Sequence, residues 1–153
     1  MALPFISESK IDEALAWLEE HSDEANVFWN TCLEHHPAVE AYLDQEDFIL
    51  LTPEETTFLV FLLTVVFKSV GPIPPIEAEQ LLATENQNWD ETLDKLSLEA
   101  RMDYYFKDYP QEDLLAFAED SIFDPDNDFL SKEGRLPLFV VVKTILDAIT
   151  ASA

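Results

Sequence analysis

The side chains best suited to chemistry lie close together at Cys32-Leu33-Glu34-His35-His36, with Glu40 four residues beyond. Thiolate, imidazole and carboxylate are all ligands for zinc or iron. On a single helix Cys32 and His36 would share a face, being four residues apart. Pro37 follows immediately and disturbs the geometry where a metal site needs it to be good. Cys32 also falls on the apolar stripe of Phe28, where a free cysteine behaves as a small apolar side chain. Nucleophilic catalysis by Cys32 with His35 or His36 meets a further objection. Side chains three or four apart on one helix project side by side, and no oxyanion hole accompanies them. The Glu-x-x-His pair of a di-iron bundle is missing, because Leu18, Cys32 and Leu33 stand three positions before His21, His35 and His36. The expectation is therefore no cofactor, no catalytic residue and no enzymatic activity. Metal or small-ligand binding by Cys32, His35, His36 and Glu40 is kept as the alternative function.

A second constellation, Asp124-Pro125-Asp126-Asn127-Asp128, resembles the opening of an EF-hand loop, with Asp124, Asp126 and Asp128 at positions 1, 3 and 5. The remainder departs from that pattern. Position 6 is Phe129 where the turn needs glycine, and position 12 is Arg135 where the cage needs a bidentate glutamate. A solvated acidic turn is expected, with these three aspartates as the weaker calcium candidates. Tyr104, Tyr105, Phe106 and Tyr109 could stack on a ligand, but their spacing suits core packing.

Helices must carry these residues. Ile11, Leu15 and Leu18 recur at i, i+4 and i+7, opposite Asp12, Glu13, Glu19 and Glu20. A second helix begins near Asp23 and buries Phe28 and Cys32, and Pro37 starts a third, as proline suits the first helical turn. Thr52-Pro53-Glu54-Glu55 reads as N-cap, N1 proline and capping-box glutamate. The helix after it, about residues 53–69, is apolar around most of its circumference and ends at Gly71-Pro72, so it is expected at the centre of the domain. A short helix carries Leu81 and Leu82, and Asn88 is taken as the cap of the next helical stretch, with a break near Ser97 as an alternative, which carries Leu98, Met102, Tyr105, Phe106 and Tyr109 and stops at Pro110. Leu115, Ala118 and Ile122 mark another. The last presents Leu138, Val141, Val142, Ile145 and Ile149, with Lys143, Asp147 and Thr150 opposite. Residues 138–142 could form a strand on β-propensity, but the chain offers no strand to pair with, so helix is expected. The fold class is all-α: one compact domain over residues 1–153, with seven or eight helices.

Composition bounds the function. The chain of 153 residues carries 32 Asp or Glu against 8 Lys or Arg, a formal charge of -24. Such a surface repels nucleic-acid phosphate and anionic lipid headgroups alike, so neither is an expected partner. Two isolated glycines, Gly71 and Gly134, cannot build a phosphate-binding glycine loop. At 48% apolar residues the chain is nonetheless a folded protein rather than a disordered one. Met1 to Glu8 lacks a basic leader, and the apolar run Phe58–Phe67 is too short to cross a bilayer, which points to the cytoplasm. The acids spread over every segment rather than forming a tail. Two accounts of them follow: a protein-protein interaction module of adaptor, inhibitor or chaperone type that binds a basic partner, or a surface adapted to high salt. For the first, Asp12, Glu13, Glu19 and Glu20 are the nominal partner-binding patch; the oligomeric state has no signature in the sequence.

Overall fold

The computed structural model describes residues 3–45 and 51–152. Among them the chain forms eight helices and no strand: α1 (Glu8–Glu20), α2 (Ser22–His35), α3 (Pro37–Leu43), α4 (Pro53–Val70), α5 (Ala78–Asp90), α6 (Leu98–Phe106), α7 (Glu112–Ile122) and α8 (Lys132–Ser152). No helix among the described residues is long and apolar enough to cross a membrane. Met1 and Ala2, part of the segment inspected for a leader, lie outside the described residues.

Local chemistry sets the boundaries. Ser7 and Ser97 cap α1 and α6 by accepting from the amides of Lys10 and Ala100. At α4 the full capping box is present: Thr52 Oγ1 accepts from the Glu55 amide at 3.1 Å and Glu55 Oε1 accepts from the Thr52 amide at 3.0 Å. Gly71 ends α4 at φ 79°, a backbone region that a side chain makes costly.

The buried apolar side chains form one continuous cluster. α4 contributes Leu59, Leu62, Leu63, Val65, Val66 and Phe67, and packs against α1, α2 and α8. It shares the centre with α8, which packs against α4, α5 and α7 and buries every residue from Leu138 to Leu146. The β-branched run at 138–142 is thus helical: on a helix surrounded on all sides, each of those side chains finds an apolar neighbour.

Three details differ from expectation. In α2 the fully buried aromatic is Trp29, while Phe28 and Cys32 are only partly covered. Asn88 is no cap; it lies inside α5 and is 3% exposed, because its amide is held by groups on α8. The 98–109 stretch leaves the helix at Phe106, and Asp108 at φ 54° turns the chain before Pro110.

Candidate functional site

The Cys32 region is not gathered into a centre. His35 and Glu40 point to solvent while His36 is buried, with its ring stacked on Phe67 at 5.5 Å and Nδ1 lacking a hydrogen-bond partner among the described residues. Burial, then the neighbouring His35, lowers the His36 pKa and favours its neutral form. Burial pushes the Cys32 thiol up to about 11, against the opposing pull of Lys68. A thiol so raised stays protonated near neutral pH and is a poor nucleophile and metal ligand. Among the described residues no group of three or more His, Cys, Asp or Glu side chains is placed to hold a metal ion.

The Asp124–Asp128 turn is occupied by the protein itself. Arg135 donates from Nη1 to the carbonyls of Ile122 (2.7 Å) and Asp124 (3.0 Å), and from Nη2 to that of Asn127 (2.8 Å). Asp124 Oδ1 accepts from the Asp126 amide at 2.9 Å. The cation that orders this loop is an arginine at the position where a calcium loop would carry its closing glutamate.

Glu55 fastens the far end of the same loop. Only 1% exposed, it gives one oxygen to the α4 cap and the other to Ser131, accepting from the Ser131 amide at 3.0 Å and hydroxyl at 2.9 Å. Ser131 Oγ in turn accepts from the Gly134 amide in the first turn of α8. A Cβ at Gly134 would collide with Glu55 Oε2, so glycine is required there by close approach.

A buried polar network joins α5 and α8. Lys143, expected on a solvent face, is 7% exposed and donates to Asn88 Oδ1 at 2.8 Å and Asp147 Oδ2 at 3.0 Å. Asn88 Nδ2 reaches Thr144 and Asp147, each at 3.2 Å, and Tyr109 donates to the other Asp147 oxygen at 2.7 Å. Burial, then the adjacent Asp147 carboxylate, drives the Tyr109 pKa far upward, so its hydroxyl stays a donor. Every polar group here has a partner within the protein, which marks a structural lock.

Five of the eight cations make contacts within the protein. Lys68 lies over the Trp17 ring at 3.9 Å, Arg101 bonds Thr92 and faces Trp89, Lys95 sits beside Asp94 and Tyr104, and Arg135 and Lys143 act as above. Lys10, Lys107 and Lys132 are left exposed. The acids are left largely unneutralised.

Two grooves beside α7 are lined by acids. On one side, α6 and α7 enclose an open groove of about 540 Å³, floored by Leu98, Met102 and Phe123 and rimmed by Glu99, Asp103, Glu119, Asp120 and Asp124. On the other, α1 and α7 enclose about 180 Å³ over Ile11, Leu15, Ala116 and Phe117, rimmed by Glu8, Asp12, Asp113 and Asp120. Asp120 belongs to both. Gln111 and Asp113 hold this arrangement by bonding the backbone of the chain entering α1: Gln111 Oε1 accepts from the Ile6 amide, Gln111 Nε2 donates to the Pro4 carbonyl, and Asp113 accepts from the Glu8 amide. Eight carboxylates and no base line the two grooves. Burial, followed by repulsion from Asp120 and Asp103, raises the Glu119 carboxyl above its ordinary value.

Of the nominal patch Asp12, Glu13, Glu19 and Glu20, all exposed, only Asp12 lines either groove. The convergence of the α6 and α7 acids on one groove depends on how the two helices are angled across the turn between them, which residue spacing within either helix does not set. One signal was present: Glu99/Asp103 and Asp120/Asp124 repeat at i, i+4 beside Leu98, Met102 and Phe123. No family model matches the chain, and neither a curated protein nor a solved structure matches it.

Proposed function

We propose that this protein is a protein-protein interaction module whose acidic surface along α7 receives a basic partner. One observation carries the reading: the two grooves flanking α7 are lined by eight acids and no base, over apolar floors. An acidic rim around apolar contacts is the pattern that combines electrostatic steering with desolvated anchors. Even charge over the whole surface, as a solubility adaptation would produce, gives no reason for the apolar floor.

The test is retention on an immobilised arginine- and lysine-rich protein bait under a salt gradient. Binding at low salt that is lost progressively toward physiological ionic strength and beyond is expected, because the Debye length shortens to about 8 Å there. Failure to bind the bait even at low salt removes the reading.

A further inference from the structure

We propose that the occupant of the α6–α7 groove is a basic amphipathic helix of a partner protein, seated with its apolar stripe on Leu98, Met102 and Phe123 and its arginines or lysines against the two acidic walls. This rests on the basic-partner reading and specifies the form of the partner.

Charge decides the sign of the ligand. Glu99 and Asp103 stand one turn apart on α6, a rise of about 6 Å, and Glu119 and Asp120 near the end of α7 with Asp124 just beyond it form the opposite wall. A second copy of this chain is the wrong occupant, since its own formal charge of -24 opposes its approach to an acidic groove. A basic helix carries its charges at that same one-turn spacing on both sides of an apolar stripe.

Backbone chemistry decides the conformation. An extended peptide entering an apolar groove must find new partners for its amides and carbonyls, which a sheet edge would supply. Among the described residues there is no strand, and hence no such edge. A helix satisfies its own backbone and brings only side chains to the interface.

The floor suits this mode. Met102, 8% exposed and anchored in the core, presents the edge of a polarisable side chain to the groove, and Leu98 is 45% exposed while belonging to no core cluster. Leu96, two residues before it in the chain, stands fully exposed. Such unpartnered leucines beside an acidic rim mark a surface that gains from being covered.

The test uses two dye-labelled synthetic peptides of about 18 residues, long enough to form an isolated helix. One places Leu at i, i+3, i+4 and i+7 with Arg flanking; the other shuffles the same composition to abolish the stripe. Fluorescence anisotropy with the full chain at about 50 mM salt is expected to show roughly tenfold tighter binding of the amphipathic peptide. Glu119→Gln with Asp120→Asn is expected to weaken it about tenfold, and the charge-matched Glu19→Gln with Glu20→Gln by less than about twofold. Leu98→Ser, at an exposed site that leaves the core intact, should weaken binding without altering its salt dependence. Circular dichroism confirms that each variant remains helical. Equal binding of the two peptides, or equal effects of the two charge pairs, overturns helix docking and leaves the basic-partner reading standing. Binding of neither peptide overturns both.

Discussion

Glu55 shows how much one side chain can hold in place. Its carboxylate accepts three hydrogen bonds, one that closes the α4 capping box and two that tether the start of α8 across 76 residues of sequence. Two of its acceptor contacts come from Ser131, so Glu55→Ala removes half of the capping box and leaves the part-buried Ser131 amide without its acceptor. A loss of about 2–4 kcal/mol is expected in urea denaturation. The carboxylate's titration gives an independent check. Burial raises its pKa, but the hydrogen bonds from Thr52 and Ser131 outweigh that effect and bring it below the usual 4.5. The folded state therefore binds this proton less readily than the unfolded chain does. Its contribution is fully present above pH 4.5 and is lost as pH falls through the depressed value. Stability measured against pH should accordingly fall more steeply in acid for the wild type than for Glu55→Gln. Parallel curves for the two would contradict this role. The capping half was legible in Thr52-Pro53-Glu54-Glu55; the Ser131 half was not, since no local pattern announces which loop a buried oxygen will meet.

Between elements, the α5–α8 seam is decided by an ion pair rather than by apolar fit alone. Lys143 and Asp147 form an i, i+4 pair that periodicity places on a polar face, and on an isolated helix that placement is correct. Tertiary packing covers that face with α5, and Asn88, Tyr105 and Tyr109 then supply the partners that burial demands: the Lys143 Nζ also lies 5.0 Å from the Tyr105 ring and 5.2 Å from that of Tyr109. Removing one charge leaves the other buried without its counter-ion. Lys143→Met and Asp147→Leu are each expected to cost about 3–5 kcal/mol, and the double variant distinctly less than the sum. A double-mutant cycle in denaturant measures that coupling. Additive losses would show that the two residues act independently.

Across the whole molecule, Lys68, Arg101, Arg135 and Lys143 are engaged in contacts within the protein, only Lys10, Lys107 and Lys132 are exposed cations, and most acids face water. Self-repulsion of such a surface weakens the fold at low ionic strength. The melting temperature is expected to rise between about 10 mM and 300 mM salt and then level off, as screening shortens the Debye length to a few ångströms. A continued steep rise to molar salt would instead favour a surface shaped by a saline solvent. The sequence by itself determined the all-helical class, the capping box of α4, the apolar stripes and the excess of acid, because each depends on residue type and on spacings of a few positions along one helix. It could also show that Arg135 breaks the calcium pattern, though not that its guanidinium would serve as the cation of that loop. Only the tertiary structure decided that Asn88 sits inside a helix, that Lys143 is buried, that His36 faces inward while His35 does not, and that acids from α1, α6 and α7 converge on two grooves. Those outcomes depend on which helix faces pack together, and packing joins residues whose separation in the chain carries no periodic trace.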